Sequence, residues 1–114
     1  MDINNFIENL RVQTNKLVIY TAVFDNYDIL FPPITYDENV DYIVFSDRQG
    51  DQINGWRNIY CSHLMPNTSG SNKNRAVKLF GYRCFSGGEF SFYVDANIRV
   101  KSNVKYLFDL SLIH

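Results

Sequence analysis

The sequence predicts a single α/β domain in which an open, mostly parallel β-sheet is flanked by helices. Two segments, residues 16–24 and 41–46, are nearly continuous runs of β-branched and aromatic side chains. Such runs are typical of strands buried on both faces, as in parallel sheets covered by helices. Helical patterns alternate with the strand patterns in the order helix, strand, strand, strand, helix, strand, helix. The 114 residues have the length of one domain and contain no internal repeat or linker.

The first half of the chain predicts one short helix and three strands. In residues 2–12 the apolar side chains recur at helical spacing, and Asp2 can cap the helix. Turn residues at 25–28 and 47–50 end the two buried strands. Residues 56–64, which read WRNIYCSHL, alternate between two sets of side chains and predict a third, more exposed strand.

The second half predicts a loop, two helices and a fourth strand. Residues 65–74 are rich in Pro, Gly, Ser and Asn, a composition typical of a loop. Residues 90–94 predict the fourth strand, and Ser102 caps a final amphipathic helix. The other helix is predicted over residues 72–85, and its apolar stripe consists of Ala76, Val77, Phe80 and Cys84.

Composition and charge exclude several classes of protein. A chain with 46% hydrophobic and 20% charged residues is typical of a globular domain and not of a disordered segment. The net charge of −1 argues against sequence-independent binding of nucleic acid or of an anionic membrane, because both need a basic surplus. No apolar run approaches the ~20 residues of a membrane span.

The cysteines and the N-terminal residues predict a cytoplasmic protein. The chain opens with neither a basic stretch nor a long apolar region, so no secretory signal is expected. Cys61 and Cys84 are far apart in sequence and belong to no C-x-x-C pair. We interpret both as reduced thiols of the core.

The segment Asp95-Ala96-Asn97 is the strongest candidate for a site. The predicted fourth strand delivers Asp95 at its carboxyl end, and a second oxygen ligand, Asn97, follows two residues later. Ligands of open α/β sheets bind beyond the carboxyl ends of the strands, and hard divalent cations prefer oxygen ligands. The segment therefore predicts a Mn²⁺ or Mg²⁺ site. A plainer interpretation is that Asp95 caps the turn and Asn97 takes an unusual backbone angle.

Two basic side chains near the start of the predicted helix form a second candidate. Arg75 and Lys78 lie one turn apart, after a polar loop, and share a face with Tyr82. Together with the helix N-terminus, these two side chains predict a diphosphate-binding site. The alternative interpretation is a solvated helix face.

The ends of the first two predicted strands form a third candidate. Aromatic rings and small polar groups there predict a nucleobase pocket. The rings would stack on both sides of the base, and the polar groups would form hydrogen bonds with its edge. An alternative places Phe24 and Phe45 in the core, and for Phe45 alone we prefer it. The residues concerned are Thr21, Phe24, Tyr27, Phe45, Ser46 and Asp47.

Five segments, in this order and spacing, resemble the opening half of a glycosyltransferase-like family of plant cell-wall and seed-mucilage proteins and bacterial polysaccharide loci. The family pattern runs Y-T-A-x-F-G-x-Y-D, V-D-Y-x-C-F-T-D, G-W, a helix with Arg and Lys, and W-I-D-x-N-I. The resemblance covers most of residues 17–109. The matching segments are IYTAVFDNYD, VDYIVFSD, GWRNIY, NRAVKLFGYRCF and FSFYVDANIRV. Two positions depart from the pattern: Asp25 stands where the family has Gly, and Asn97 replaces the second Asp of the wider metal motif.

The resemblance implies a GT-A-like fold, of which residues 1–114 would form one truncated domain, the Rossmann-like half that binds a nucleotide-sugar. It also implies a role for each matching position. The nucleotide-sugar, bound with Mn²⁺ or Mg²⁺, would contact Thr21, Ala22, Tyr27, Asp47, Arg75, Lys78 and Asp95, and the metal would be held by Asp95 and Asn97.

The implied activity is that of a glycosyltransferase of the hexosyltransferase type. It would take a uridine-diphosphate sugar and transfer the sugar to a glycan or another acceptor. GT-A enzymes are roughly twice this long, and the later half of the fold supplies acceptor binding. The alternative is therefore a truncated or degenerate relative that serves as a non-catalytic binding or interaction module. An unrelated alternative is a polysaccharide-recognition domain that uses exposed aromatic rings. A half-fold leaves apolar surface uncovered, so we also expect a homo-oligomer.

Overall fold

The computed structural model describes residues 8–25, 30–34, 36–64, 68–86 and 90–96. The described part contains one α-helix, α1, at Gly70–Phe80, and two 3₁₀ turns, at Ser62–Leu64 and Gly81–Cys84. Glu8 and Asn9 are helical, and the rest of the first predicted helix lies outside the described residues, as does the final one. The strands are β1 Val12–Gln13, β2 Leu17–Val23, β3 Val40–Ser46, β4 Gln52–Ile53, β5 Trp56–Tyr60, β6 Phe85–Ser86 and β7 Ser91–Tyr93.

The main sheet is mixed, with the strand order β4-β5-β3-β2-β7. Strands β5, β3, β2 and β7 run parallel, whereas β4 is antiparallel to β5. A separate pair, β1 and β6, is also parallel. The predicted fold, a Rossmann-like, mostly parallel sheet flanked by helices and forming the nucleotide-sugar-binding half of a GT-A fold, is therefore wrong. The chain instead builds short strands in mixed sheets, with one α-helix in the described part.

A two-residue turn causes the antiparallel pairing. Asn54 and Gly55 both have positive φ, 48° and 82°, and fold β4 back onto β5. Asn-Gly is the sequence that a tight hairpin turn prefers, because both of its central residues need positive φ. The sequence interpretation assigned no strand before Trp56 and so missed this hairpin.

One face of the sheet packs against α1. The helix contributes Ala76 and Val77, and the 3₁₀ turn after it contributes Cys84. Their partners come from the side chains of β2 and β3 that point to this face. The cluster consists of Leu10, Val12, Val18, Tyr20, Ala22, Phe24, Ile43, Phe45, Cys61, Ala76, Val77 and Cys84. Aromatic rings meet edge to face here, since the Tyr20 ring lies 6.1 Å from Phe45 and 5.5 Å from Tyr93, centroid to centroid.

A loop covers the opposite face in the described part, where the prediction placed helices. Trp56 Nε1 donates to the Phe31 carbonyl at 2.9 Å, and Asn54 Nδ2 donates to the Leu30 carbonyl at 2.9 Å. The Phe31 N–H in turn donates to the Ala96 carbonyl at 3.2 Å. Both faces of β2 and β3 are thus buried, which confirms the prediction of strands without a solvent face.

Replacing Trp56 should weaken the second face. Trp56→Phe removes the indole donor to the Phe31 carbonyl and opens a small void beside Tyr42. Lost hydrogen bonding and packing should lower the free energy of unfolding by about 1–3 kcal/mol. Urea denaturation followed by circular dichroism measures this change, since Trp56 is the sole tryptophan and a fluorescence signal would vanish. Tyr60→Phe, at a half-exposed position of the same strand, is the control and should change stability by less than about 0.5 kcal/mol. Equal stability of the Trp56→Phe variant and the wild type would contradict this account of the face.

Candidate functional site

Three aspartates follow the carboxyl ends of three neighbouring parallel strands, and two of them are in contact. Asp25 follows β2 by two residues, Asp47 directly follows β3, and Asp95 follows β7 by two residues. Val23 pairs with Ser46, so β2 and β3 end at the same level, whereas Tyr93 pairs with Tyr20, so β7 ends before them. Parallel strands that are in register end at the same edge of the sheet, and this edge is where ligands of such sheets bind. We call this region, defined by Asp25, Asp47 and Asp95, the carboxyl edge.

Asp25 and Asp47 are joined by a hydrogen bond. The Asp25 backbone N–H donates to Asp47 Oδ2 at 2.8 Å. Asp25 has a φ of 61°, in the left-handed region that glycine adopts most easily and that Asp tolerates. Asp25 thus combines a backbone shape that glycine adopts most easily with a carboxylate.

Helix α1 begins at the same edge. Ser69 Oγ caps it by accepting from the Asn72 N–H at 3.2 Å. The Asp25 carboxylate lies so close to Gly70 that a Cβ there would overlap it. A carboxylate at a helix N-terminus is stabilised by the partial positive charge of the exposed N–H groups. The packing of Asp25 on Gly70 therefore joins β2 to the helix.

Lys73 is a site residue that the sequence interpretation missed. Its side chain is 9% exposed, and its Nζ donates to Ser62 Oγ at 2.8 Å. The same Nζ lies 5.9 Å from the centroid of the Phe24 ring, the residue directly after β2. The spacing with Val77 and Phe80 was available as a signal, since positions i, i+4 and i+7 share a helix face. The predicted apolar stripe begins at Ala76 and therefore leaves out the lysine about one turn earlier.

The two predicted phosphate-binding side chains lie elsewhere on α1. Arg75 is exposed and lines an open cavity of about 310 Å³ together with Asn72 and Leu79. Lys78 is also exposed, with Nζ 5.9 Å from the centroid of the Tyr93 ring. Among the residues that the structure describes, neither forms an ion pair with an aspartate of the carboxyl edge.

The residues predicted to border the nucleotide are largely interior. Thr21 and Ala22 are 0% and 2% exposed, in the middle of β2. Thr21 Oγ1 has no hydrogen-bond partner within the described ranges. Phe24 and Phe45 are fully buried, which supports their interpretation as core residues. Tyr27 lies outside the described residues.

The structure describes one of the two residues of the predicted metal site. Asp95 is exposed at the carboxyl edge, and Asn97 lies outside the described residues. Within the described ranges no group of three or more His, Cys, Asp or Glu side chains is arranged to hold a metal ion. A Mn²⁺ or Mg²⁺ ion held by Asp95 and Asn97 stays a prediction.

Cys61 is a buried thiol that directly follows β5. Its pKa is raised to about 12, mainly by burial; the neighbouring Cys84 and Asp47 also raise this pKa, and the Lys73 ammonium lowers it. Burial also raises the pKa of Cys84 to about 11. Both thiols are free and are neutral at pH 7, so neither is a nucleophile there.

Comparison with known proteins yields no relative: no family model, no curated protein and no solved structure matches the chain. In the described part of the chain, none of the helical segments has the length and apolar character needed to cross a membrane.

The packing of Asp25 on Gly70 predicts that Gly70→Ala destabilises the wild type but does not destabilise an Asp25→Gly variant. Gly70→Ala should lower the free energy of unfolding by about 1–3 kcal/mol, because the added methyl displaces the Asp25 carboxylate. In an Asp25→Gly background, which suits the positive φ, the same change should be neutral or slightly stabilising, since Ala favours helix. Urea denaturation of the four proteins of this cycle measures the difference. Equal effects of Gly70→Ala in both backgrounds would show that the two residues do not interact.

The raised thiol pKa values predict loss of stability at alkaline pH. Between the ordinary pKa of 9.0 and the folded values of about 11 and 12, the folded state binds more protons than the unfolded state. The free energy of unfolding should therefore fall as the pH rises through this window, and it should be insensitive to these thiols below pH 9. Urea midpoints between pH 7 and 10.5 measure the fall, which should be shallower in Cys61→Ala. A parallel fall in the variant and the wild type would remove Cys61 as its cause.

Proposed function

We propose that the chain binds a nucleoside-diphosphate sugar, of the uridine type, at the carboxyl edge and transfers the sugar to a glycan or another acceptor. The observation that carries the proposal is the arrival of Asp25, Asp47 and Asp95 at one edge of parallel strands, beside the start of α1. Ionised carboxylates accept hydrogen bonds from hydroxyl groups, of which ribose and sugar rings carry several. The resemblance to sugar-transferring proteins points to the same class of ligand.

The charge of this edge has a consequence for the diphosphate. Three carboxylates repel an anionic ligand, so a divalent cation between them and the phosphate oxygens would strengthen its binding. Asp95 is exposed, which makes its carboxylate accessible to such an ion. Bound there, Mn²⁺ or Mg²⁺ would stabilise the negative charge that builds on the diphosphate as the bond between sugar and phosphate breaks.

Compartment and assembly belong to the same proposal. The free, buried cysteines fit a reducing compartment, which supports a cytoplasmic location. A carbohydrate acceptor and a second copy of the chain are the partners that we propose, with no role for nucleic acid.

A second candidate is a binding module without transferase activity. It is favoured by the structural tasks of two of the acids, because Asp47 accepts the Asp25 N–H and Asp25 packs on Gly70. Groups held in this way can still bind a ligand. The two candidates differ in whether uridine diphosphate is released from a uridine-diphosphate sugar when an acceptor is present.

Calorimetric titration with uridine diphosphate, with and without Mn²⁺, tests the binding that both candidates share. We expect saturable binding that Mn²⁺ strengthens, and Asp95→Asn should weaken the Mn²⁺-dependent binding by about 10-fold or more. Its effect without Mn²⁺ should be smaller. Asp51→Asn, at an exposed position on the turn before β4, is the matched control and should bind like the wild type. A folded sample that shows no saturable binding at millimolar ligand would overturn the proposal.

A further inference from the structure

We propose that Lys73 binds the phosphate groups of the ligand, with Ser62 holding its ammonium in place. The inference rests on the proposed function and deepens it, since it assigns the diphosphate to a residue other than Arg75 and Lys78. It identifies the ligand at this point by its chemistry, as a phosphate or diphosphate group at the carboxyl edge.

The burial of Lys73 is the first step. A lysine side chain is almost never this buried unless an opposite charge accompanies it, because removing an ammonium from water is costly. The partners that the structure gives Nζ are uncharged: Ser62 Oγ at 2.8 Å and the Phe24 ring at 5.9 Å. Among the described residues the ion pair that forms joins Arg57 to Asp41 and does not involve Lys73. An ammonium has three N–H donors, and Ser62 takes one of them.

The position of Lys73 is the second step. Phe24 directly follows β2, and Ser62 begins the 3₁₀ turn shortly after β5, so both neighbours stand where parallel strands end. The positive charge therefore lies at the edge that the aspartates define.

The support beneath Ser62 is the third step. His63 follows it in the 3₁₀ turn, and the His63 ring stacks on Tyr60 with centroids 5.1 Å apart and planes at 17°. This stack fixes the turn to the end of β5 and so fixes the oxygen that receives the Lys73 hydrogen bond. A held ammonium with unused donors is prepared for a phosphate oxygen, since lysine binds phosphate as a point charge and requires no paired geometry.

A purely structural role for Lys73 makes a different prediction. In that case the methylene stem packs on Phe24, and its replacement by methionine lowers stability without changing the affinity for phosphate. The decisive readout is therefore the difference between ligands with and without phosphate.

The experiment compares Lys73→Met with the control Lys78→Met, which removes the same charge from the same helix at an exposed position. Sodium pyrophosphate, uridine diphosphate and uridine are titrated into each folded protein without metal. We expect Lys73→Met to bind both phosphate-containing ligands about 10-fold more weakly and uridine unchanged, as for the loss of one hydrogen bond to a charged group. Lys78→Met should match the wild type. An unchanged affinity for pyrophosphate in Lys73→Met, or an equal loss in Lys78→Met, overturns the inference.

A measurement on the wild-type chain covers the case in which Lys73→Met does not fold. Pyrophosphate is titrated while the resonances of the protein are followed by nuclear magnetic resonance. The signals of Ser62 and Lys73 should shift with one saturating curve, and those of Arg75 and Lys78 should stay in place. Shifts confined to Arg75 and Lys78, or no saturable shift at all, overturn the inference.

The failures of the two proposals are distinguishable. Tight binding of uridine diphosphate that does not depend on Lys73 would refute the present inference alone. Pyrophosphate binding through Lys73, with uridine diphosphate and its sugar bound no better than pyrophosphate, would instead refute the proposed function and leave the phosphate site.

Discussion

Strand β2 has no face exposed to water, and the remaining structure is arranged around that constraint. Its side chains enter the helix-covered cluster and the loop-covered cluster alternately, while β3 and β7 take its backbone hydrogen bonds on either side. A shift of register by one residue would exchange the two sets of side chains and bury the wrong groups on each face. The register that avoids this shift also sets the levels at which Asp25, Asp47 and Asp95 leave the sheet. Packing in the core and the geometry of the carboxyl edge are thus two results of one alignment.

The sequence predicts those parts of the fold that depend on neighbouring residues, and it does not predict the parts that depend on contacts between distant residues. The continuous apolar runs of β2 and β3 predict buried strands, because hydrophobic periodicity is a local property of the chain. The loop over the second face depends on hydrogen bonds from Asn54 and Trp56 to carbonyls more than 20 residues away, which periodicity does not reveal. The Asn54-Gly55 turn was a readable local signal. Without that signal β4 is left unassigned, and the sequence predicts a mostly parallel sheet in place of a mixed one.

The candidate site was predictable in the same partial way. Asp47 and Asp95 follow from the rule that ligands meet the carboxyl ends of strands, and that rule needs only the strand boundaries. Lys73 could not be ranked above Arg75 and Lys78 by charge, because its distinguishing feature is burial beside Phe24 and Ser62. Those two neighbours come from different segments of the chain, both outside α1. Thr21 is the reverse case: it is a predicted ligand contact, but its polar side chain is fully buried in the sheet.

The charges at the carboxyl edge argue for a ligand of mixed character. The Asp25 carboxylate already occupies the start of α1, so the partial positive charge of the helix is not available to a phosphate. Positive charge must come from elsewhere, and the two sources that we propose lie on different elements: the Lys73 ammonium on the helix and a divalent ion at Asp95 beyond β7. Carboxylates that are not shielded by either source remain suited to hydroxyl groups. A molecule with phosphates in its middle and hydroxyl-bearing rings at both ends satisfies this distribution, and a nucleoside-diphosphate sugar has that order of parts.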